Sequence, residues 1–436
     1  MEPIAPREMP LGLPEVIARM AERVSNQCDV RNLTFHPAAA GLFLADLHAD
    51  TLLWGVDPMA LRAGGHLDGH RLAAAGMGLQ VFAAPTWTPL PFRNDEDRLV
   101  VSRAGFDQTD ALFPSEVLSP ARRRSRKRRS RALKIAQRFE KMIDDSKLPN
   151  APFRAVPLLA ANDFEGLAEG RAPDADEGAQ PRIGVMLALE GLHWLAPDAD
   201  DTRVSAALDE LFGAGYRMVA PTHRFSNGLG GASENSAGRG GLTAAGRKVI
   251  NGLLERRMVV DLAHASSALI REACGIALTH AGGPRPVLIS HAGIKMINPS
   301  ARNLSAGDIR AVASTGGVIG VGFWRSAMGW ADDEPFEIKM AYIVRSIRAT
   351  LEILSDPDFA DEMVGRYGRY DPYEHIAFGS DFDGATTTAF DVTGVSHVVA
   401  ALASVRDHQM APVFPADKLA LIAGGNTRRM LRKAMT

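Results

Sequence analysis

Six short apolar runs, spread over more than three hundred residues, each end in a side chain that can titrate or bind a metal. The runs are rich in Val, Ile, Leu and Ala, a composition typical of buried β-strands. They read FLADLHAD, IGVMLALEG, YRMVAPTH, MVVDLAH, PVLISH and HIAFGSDFDG, and their polar endings are His48 and Asp50, Glu190, His223, His264, His291, and Asp381 and Asp383. If the strands are parallel, these side chains meet at one edge of the sheet.

Two further runs of the same kind lack a polar ending: LQVFAAPTW from Leu79 and GGVIGVGF from Gly316. The segments between runs are long enough for crossover helices, for example Gly241–Arg257 and Ala265–Ala277. Eight strand–helix repeats predict an α/β fold, a (β/α)8 TIM-like barrel with its chemistry at the C-terminal ends of the strands. An open doubly wound sheet gathers strand ends only at its switch point, whereas six of the eight runs contribute here.

The chain is expected to form one domain. Residues 1–40 precede the first strand, and we expect them to form an N-terminal extension, with a helix around Pro14–Ser25, that packs outside the barrel. Residues 41–436 then form a single (β/α)8 domain. Two segments are longer than plain connections, Arg93–Pro152 and Arg325–Glu374, and both are expected to contain helices at the face that carries the substrate loops.

The composition is that of an ordinary globular protein, with 46% hydrophobic residues, 23% charged residues and a net charge of −2. This balance argues against a dedicated nucleic-acid or membrane-surface protein. No apolar stretch reaches the length of a membrane span and no secretory signal is visible, so we predict a cytoplasmic location. Cys28 and Cys274 have no metal-type spacing; two unpaired thiols are the default and one disulfide is the alternative.

Two segments carry unusual local composition. The basic run ARRRSRKRRSR, Ala121–Arg131, is interpreted as a solvated helix face rather than a patch for nucleic acid or an acidic partner, since no aromatic residue is interleaved with its arginines. The glycine-rich stretch Gly228–Gly241 lacks the GKS or GKT ending of a phosphate-binding loop. We interpret it as a mobile active-site loop.

The pair His48 and Asp50 ends the first run with one residue between them, so both side chains can reach one cation. In isolation an HxD triplet is more often structural, with Asp50 or Thr51 capping the next helix and His48 filling the core. Glu190 ends a run that is otherwise apolar, and a buried carboxylate without a partner costs several kcal/mol. A metal ion, or two ions that share Glu190, is the partner we expect.

His264 and His291 end consecutive runs at equivalent places, where two imidazoles could hold a second divalent ion. Nitrogen and oxygen ligands without a thiolate suit zinc, and two-metal hydrolases hold their ions roughly 3.5–4 Å apart. His223 is either a further ligand or a hydrogen-bond donor to a developing oxyanion. Asp381 is a candidate for proton transfer between water and the leaving amine, whereas Asp383 lies in the turn and is expected to support the loop.

The remaining histidines are weaker candidates. His66 and His70 have i,i+4 spacing without a carboxylate partner and are expected at the surface. His193 lies three residues after Glu190 and could support a metal ligand. His375 starts its run, so we expect it at the opposite face of the barrel with a structural role.

As an ordered set, these motifs resemble those of the membrane dipeptidase (renal dipeptidase) family, binuclear zinc peptidases within the amidohydrolase-like barrels. The matching stretches are LHADTL at His48, LALEGLHWL at Glu190, APTHRFSNG at His223, GLTAAGRKVINGLLERRMVVDLAHAS with His264, PVLISHAGIKMINPSARNLS at His291, HIAFGSDFDG at Asp381 and IAGGNTRRML around Asn426. The likeness covers about nine-tenths of the chain in the right order. One departure is HAD in place of the family's usual HND, which keeps both ligands and removes an amide.

The resemblance implies two zinc ions bridged by Glu190. It assigns one ion to His48, Asp50 and Glu190, and the other to Glu190, His264 and His291. It further implies that His223 contacts the substrate or the tetrahedral intermediate, that Arg302 receives the substrate's terminal carboxylate, and that Asp381 transfers protons. The position of Arg302 supports this role independently of the resemblance, because Arg302 follows His291 by eleven residues and a guanidinium fork can bind a carboxylate through two hydrogen bonds.

The predicted function is therefore that of a zinc-dependent dipeptidase, in which a hydroxide activated by the metals attacks the peptide bond of a small dipeptide. One alternative is a related amidohydrolase that acts on another small amide, ester or lactam. Another is a catalytically silent barrel that binds a partner through Arg122–Arg131, although the complete ligand set argues against it. The stereochemistry of the substrate and the oligomeric state stay open, with a homodimer among the alternatives.

Overall fold

The computed structural model describes residues 33–88, 91–93, 99–101, 107, 124–167, 180–234 and 240–436. The helix predicted around Pro14–Ser25 lies outside these residues. In the part of the N-terminal segment that is described, the N–H of Leu33 donates to Thr393 Oγ1 and the N–H of His36 donates to Ser396 Oγ, both at 3.0 Å. Residues 33–36 therefore lie against the C-terminal part of the chain.

All eight predicted apolar runs form strands. The described residues contain β1 (Leu44–Ala49), β2 (Met77–Phe82), β3 (Pro91–Arg93), β4 (Leu99–Val101), β5 (Arg154–Pro157), β6 (Arg182–Glu190), β7 (Tyr216–Ala220), β8 (Val259–Val260), β9 (Leu288–Ala292), β10 (Val318–Val321) and β11 (Ile376–Phe378). The strand β5 was not predicted, because its four residues RAVP carry no visible period and end in proline.

The strands of the two larger sheets all pair in parallel. One sheet has the order β1-β2-β6-β7-β8, with β5 paired to the first half of β6, and the other has the order β11-β10-β9. Strands β3 and β4 form a separate antiparallel pair. Two isolated parallel bridges, Asp261 with Leu288 and Ala49 with Phe382, lie between the larger sheets. The result is a curled parallel sheet in chain order, while closure into a complete eight-stranded barrel stays a prediction.

Helices connect the parallel strands, as crossover connections require. They are α1 (Gly69–Ala74), α2 (Arg124–Asp145), α3 (Asp201–Gly213), α4 (Ala244–Glu255), α5 (Ser267–Leu278), α6 (Ala306–Ala313), α7 (Arg325–Met328), α8 (Phe336–Leu354), α9 (Pro357–Tyr367), α10 (Val395–Ser404), α11 (Ala416–Ala420) and α12 (Asn426–Ala434). Short 3₁₀ helices span Pro37–Ala39, Thr51–Trp54, Ala161–Gly166, Pro372–His375 and Val392–Gly394, and a π-helical turn spans Leu421–Gly425. No helix in the described ranges is both long and apolar enough to cross a bilayer.

The two crossover helices predicted from sequence are confirmed as α4 and α5. Each begins at a capping side chain: Thr243 accepts a hydrogen bond from the N–H of Gly246, and Ser266 accepts one from the N–H of Leu269. The long segment after β10 contains α7, α8 and α9, as expected. In the segment after β2, the described residues contain β3, β4 and α2.

Alternation along β6 places Glu190 on the enclosed side of the curled sheet. Leu187 and Leu189 belong to the large cluster shared with the surrounding helices, whereas Met186 and Ala188 belong to a smaller cluster. This smaller cluster takes residues from all eight predicted strands, including Ala45, Leu47, Leu79, Val81, Met218, Val259, Leu288, Val318 and Ala377. Because successive side chains alternate between faces, Glu190 follows Met186 and Ala188 toward this space.

The interpretation of the basic run as a solvated face is wrong for its C-terminal end. Arg131 is fully buried, and its Nη1 donates to the carbonyl oxygen of Thr86 at 3.0 Å and to Asp107 Oδ2 at 2.6 Å. Arg128 donates to the carbonyl oxygen of His193 at 3.0 Å. A buried cation needs such partners, so this end of the run ties α2 to the loops after β2 and β6.

The surface position predicted for His66 is also wrong, whereas His70 is exposed. His66 is buried: its backbone N–H donates to Asp383 Oδ1 at 2.7 Å, and its Nδ1 accepts from the N–H of Asp383 at 2.9 Å. The i,i+4 spacing of the two histidines therefore does not predict their burial. The environment of His66 depends on Asp383, which is more than three hundred residues away in sequence.

Candidate active site

The predicted site residues meet at the C-terminal ends of the parallel strands. Glu190 is the last residue of β6, and His48 and His291 lie near the ends of β1 and β9. The remaining members follow strands β1, β7, β8 and β11 and are Asp50, His223, His264 and Asp381. All of these side chains are buried, each at most 8% exposed. The sequence prediction that they share one edge of the sheet is confirmed.

One carboxylate oxygen, Glu190 Oε1, lies among three imidazole nitrogens. The distances from it are 3.2 Å to His264 Nε2, 3.7 Å to His291 Nε2 and 3.9 Å to His48 Nε2. The other oxygen, Oε2, lies 3.6 Å from His223 Nε2. Glu190 is therefore the central residue of the cluster.

Two groups of donor atoms surround Glu190. In the first, atoms of His48, Asp50 and Glu190 lie within 4.8 Å of one another, and His48 Nε2 is 3.7 Å from Asp50 Oδ1. In the second, His264 Nε2 and His291 Nε2 are 3.1 Å apart and lie 3.2 and 3.7 Å from Glu190 Oε1. The family resemblance implies these two groups. Glu190, His223 and His264 form a further compact group, as do His48, His291 and Asp381.

Several donor atoms of the cluster are buried without a hydrogen-bond partner among the described residues. They include His48 Nε2, Asp50 Oδ1 and Glu190 Oε1. An unpartnered buried polar atom costs free energy, and a buried carboxylate costs more. Convergent imidazole nitrogens and carboxylate oxygens are ligands that divalent zinc binds well. The side chains therefore fit a metal centre.

Hydrogen bonds outside the cluster fix which nitrogen of His291 has the lone pair. The Ser290 hydroxyl donates to Asp261 Oδ2 at 2.6 Å and lies 2.9 Å from His291 Nδ1. A hydroxyl has one hydrogen, so once Asp261 accepts it, Ser290 Oγ can only accept from His291 Nδ1–H. Nε2 then has a free lone pair that points toward Glu190 and His264.

The same reasoning applies to His223, whose Nδ1 lies 3.1 Å from the carbonyl oxygen of Trp87. A carbonyl oxygen only accepts, so Nδ1 carries the hydrogen and Nε2 of the neutral ring has a lone pair. Burial lowers the pKa of His223 to about 3, and the charge of Arg224 adds to this effect. The ring is therefore neutral near neutral pH.

Burial dominates the electrostatics of the carboxyl groups. It raises the pKa of Asp381 to about 8 and raises the pKa values of Glu190 and Asp50 well above their usual range, with nearby carboxylates adding to the effect. Burial also lowers the pKa values of His264 and His291, helped by the charge of Arg302. A divalent cation would counter the first trend and reinforce the second, because it favours ionised carboxylates and neutral imidazoles.

Two residues of the cluster have left-handed backbone conformations, His264 with φ 62° and Asp381 with φ 63°. This region is uncommon for residues other than glycine and is concentrated at functional sites. Gly384 is packed against this turn, since a Cβ there would lie 2.0 Å from Asp381 Oδ1. The turn after β11 therefore has little freedom, and it holds Asp381 Oδ1 4.0 Å from His48 Nε2.

Asp383 lies outside the cluster and supports the loops around it. Its Oδ2 accepts hydrogen bonds from Thr51 Oγ1 at 2.7 Å and from Arg62 Nη1 at 2.9 Å. Its carbonyl oxygen accepts from Trp54 Nε1 at 2.7 Å. These bonds join the turn after β11 to the loop after Asp50, in agreement with the sequence interpretation.

Arg302 lies beside the cluster on the loop after β9. Its Nη2 donates to the carbonyl oxygen of His291 at 2.8 Å, and its guanidinium carbon is 5.8 Å from the centre of the Trp324 ring. Arg302 and His264 line a common cavity of about 250 Å³. The guanidinium is thus held next to the candidate metal-binding cluster.

Sequence reasoning missed the residues that anchor the candidate metal ligands. Asp261 accepts hydrogen bonds from the N–H groups of Ala263 and Ser290, both at 2.9 Å, and from the Ser290 hydroxyl. Asp46 accepts two hydrogen bonds from Ser380, which precedes Asp381. Both aspartates interrupt apolar runs, in MVVDLAH and FLADLHAD, and that interruption was the available signal.

A model of the membrane dipeptidase family, peptidase family M19, matches residues 153–436. A protein in the pqqA 5′ region of Klebsiella pneumoniae is 27% identical over 236 residues, which cover 52% of this chain and 76% of the relative. The dipeptidase verJ of Clonostachys rogersoniana is 29% identical over 217 residues, which cover 49% of this chain and 47% of the relative. The chain thus spans about half the length of this fungal dipeptidase.

Among solved structures, the chain is similar to a metallo peptidase from Rhodobacter sphaeroides liganded with a phosphinate mimic of the dipeptide L-Ala-D-Ala. The TM-score is 0.60 at 20% identity, over 90% of this chain and 99% of the other. At this identity the likeness concerns the fold. Fold, site and family model together define a metal-dependent hydrolase of peptide bonds. The chain belongs to the membrane dipeptidase family, peptidase family M19.

Proposed function

We propose that this chain is a zinc-dependent dipeptidase that holds two metal ions with Glu190 as the shared ligand. One ion would be held by His48, Asp50 and Glu190, and the other by Glu190, His264 and His291. The single observation that carries the proposal is the position of Glu190 Oε1, which lies within 4 Å of three histidine Nε2 atoms and has no hydrogen-bond partner among the described residues.

The ions, when bound, would supply Lewis acidity to the peptide carbonyl and to the attacking water. The protein's own contribution is to hold its ligands in one geometry before the substrate arrives. Asp261 and Ser290 do this for His291, since they keep the Nε2 lone pair of that ring available. Asp46 and Ser380 fix strand β1 against the turn that carries Asp381.

Asp381 is proposed to transfer the proton. It would take a proton from the attacking water and give it to the nitrogen of the leaving amine as the C–N bond breaks, so it returns to its starting state. Two features support this role: its Oδ1 reaches within 4.0 Å of His48 Nε2, and burial raises its pKa to about 8. Bound cations would lower this pKa again, so the carboxyl group could both accept and release a proton near neutral pH.

His223 and Arg302 are proposed to bind the substrate. In the neutral tautomer that Trp87 imposes, His223 Nε2 has a lone pair, so it would accept a hydrogen bond or bind a metal; donating to an oxyanion would need a second proton on the ring. Arg302 would bind the substrate's terminal carboxylate through its guanidinium fork. The dipeptide mimic in the Rhodobacter sphaeroides relative supports a substrate of this size.

We also propose that the two larger sheets close into a single eight-stranded barrel. The bridge between Asp261 and Leu288 would join β8 to β9, and the bridge between Ala49 and Phe382 would join β11 to β1. Such closure places Glu190 and the histidines around one barrel mouth, where (β/α)8 enzymes carry their chemistry.

The experiment is a turnover assay of the purified, zinc-loaded protein on L-L and L-D dipeptides, their C-terminal amides, and a small lactam and ester. We expect hydrolysis of free dipeptides that is abolished by a chelator and restored by zinc. Amides should react more slowly, because they lack the carboxylate that Arg302 is proposed to bind. Turnover of the lactam or ester without any dipeptide would favour the alternative of a related amidohydrolase.

A further inference from the structure

The cavity beside Arg302 has a wall formed by the beginning of helix α5. Residues Ser266, Ser267 and Ala268 line it, together with His264 of the metal-binding cluster. The cavity therefore extends from the proposed catalytic centre toward the N-terminus of a helix of 12 residues.

The start of α5 is suited to an anion. Ser266 caps the N–H of Leu269 at 3.1 Å, whereas the backbone N–H groups of Ser267 and Ala268 have no hydrogen-bond acceptor in the part of the chain that the structure describes. The N-terminus of a helix carries a partial positive charge, and its free N–H groups favour a negatively charged ligand.

Three cationic side chains line the same cavity: Arg271, Lys295 and Arg302. Arg271 lies one helical turn into α5, and Lys295 lies on the loop after β9. Neither Arg271 nor Lys295 forms an ion pair with any described residue, so both charges are available to a ligand. This is an observation independent of the helix terminus.

One acidic residue, Asp308, also lines the cavity, but its Oδ2 is already engaged. That oxygen accepts hydrogen bonds from Ser267 Oγ at 3.0 Å and from the N–H and hydroxyl of Ser305 at 2.9 and 2.7 Å. The charge of Arg302 is already offset by nearby carboxylates, first of all Glu234. The surplus positive charge of the cavity therefore comes from Arg271, Lys295 and the start of α5, against the one lining carboxylate of Asp308.

We infer that this cavity binds the acidic side chain of the substrate's C-terminal residue, so that preferred dipeptides end in glutamate or aspartate. The inference rests on the proposed function, in which Arg302 binds the terminal carboxylate; the residue that reaches the cavity is then the C-terminal one. A single carboxylate can be bound by one guanidinium. Arg271, Lys295 and the start of α5 are not needed to bind this first carboxylate. Their positive charge would bind a second one.

The test compares alanyl-glutamate with alanyl-glutamine, each with the L and the D configuration at the second residue. The pair differs in charge and hardly in shape, so apolar contacts cancel. For the parent enzyme we expect kcat/KM to be about fivefold or more higher for the glutamate substrate at low salt, with the ratio falling as salt screens the exposed cations. A ratio near one at low salt would overturn the inference.

Substitutions of the cavity residues test whether these residues cause the preference for glutamate. Arg271→Gln and Lys295→Gln should each lower the glutamate-to-glutamine ratio by about two- to fivefold, the range for an exposed charge pair. Arg348→Gln is the matched control, because Arg348 is exposed on α8, away from the cavity, and should leave the ratio unchanged. A ratio that is the same in the parent and in both cavity variants would contradict the assignment.

A binding measurement separates this inference from the proposed function. If none of the dipeptides is hydrolysed, the proposed function fails, and calorimetric titration of the zinc-loaded protein with free glutamate and glutamine still tests the cavity. Tighter binding of glutamate that is weakened by Arg271→Gln would support the cavity as a carboxylate site. Equal affinities for the two amino acids would overturn it.

Discussion

The hydroxyl of Ser290 donates a hydrogen bond to Asp261 Oδ2 at 2.6 Å and thereby joins the loop after β8 to strand β9. Ser290 Oγ in turn accepts a hydrogen bond from His291 Nδ1. The buried carboxylate of Asp261 thus fixes the tautomer of a proposed metal ligand through two successive hydrogen bonds. Asp261 is not itself among the proposed ligands. Its effect on the metal centre is therefore separable from that of the ligands.

Asp261→Asn should weaken metal binding while the fold is retained. The new amide would donate to Ser290 Oγ, whose hydrogen would then turn to His291 Nδ1 and move the ring proton to Nε2. Zinc affinity, measured by competition with a chelator, should fall by about 10- to 100-fold. Asp209→Asn, an exposed carboxylate paired with Arg256, is the control and should bind zinc like the parent. Unchanged zinc affinity in Asp261→Asn would show that the hydrogen bonds from His291 through Ser290 to Asp261 do not influence metal binding.

Asp381→Asn and Asp383→Asn should have opposite consequences. The first should lower kcat by about 100-fold or more with metal content kept, as expected for a proton-transfer group. The second should lower the free energy of unfolding by about 3 kcal/mol, because it breaks the buried pair with Arg62 and the bond from Thr51. Steady-state kinetics and urea unfolding measure the two effects. If Asp381→Asn kept a kcat near that of the parent while Asp383→Asn lost activity, Asp383 would be the proton-transfer group and Asp381 the structural one.

Arg131→Gln should destabilise the fold. Arg131 is fully buried with Asp107, and removing one partner of a buried pair costs about 3 kcal/mol or more. Arg129→Gln removes an exposed arginine of the same helix that pairs with Glu210, so it should change stability by less than about 1 kcal/mol. Urea unfolding of the two variants is the measurement. Equal free energies of unfolding for the two variants would indicate that Arg131, like Arg129, lies on a solvated helix face.

His375 should make the fold less stable as the pH falls. It is buried, its Nδ1 donates to the carbonyl oxygen of Gly317 at 2.8 Å, and burial lowers its pKa to about 4. Above pH of about 6.5 the ring is neutral in both the folded and the unfolded state and contributes no pH dependence. Between about pH 6.5 and 4 only the unfolded chain binds the proton, so stability is lost as the pH decreases.

The comparison is between pH 7 and pH 5, by urea unfolding of the parent and of His375→Gln. The parent should lose about 2 kcal/mol more than the variant over this interval, since a shift of one pKa unit corresponds to about 1.4 kcal/mol. His70→Gln, a change at an exposed histidine, should follow the parent. Parallel pH profiles for the parent and His375→Gln would contradict the low pKa.

The strands and the candidate metal-binding cluster were predictable because their signals are local. A parallel strand that is covered on both faces is a continuous apolar run, and a polar residue at its end stands out. Glu190, after eight mostly apolar residues of β6, is the clearest example. The starts of α4 and α5 were equally local, since Thr243 and Ser266 cap their own helices.

The supporting residues were not predictable because their partners are distant in sequence. Asp46 bonds with Ser380 across 334 positions, and His66 bonds with Asp383 across 317. Arg131 looked like one arginine among many in a basic run, and only the fold shows that it reaches Asp107. In each case the environment depends on which loops the strands bring together.

The most direct test of the account is the number of zinc ions bound per chain. Purified protein reconstituted with zinc and freed of excess should hold about two ions per chain, by elemental analysis, if Glu190 bridges a binuclear centre. Glu190→Gln removes the central charge and should lower both the ion count and dipeptide turnover. At most one ion per chain in the parent, or a parent-like count and activity in Glu190→Gln, would contradict the bridging role.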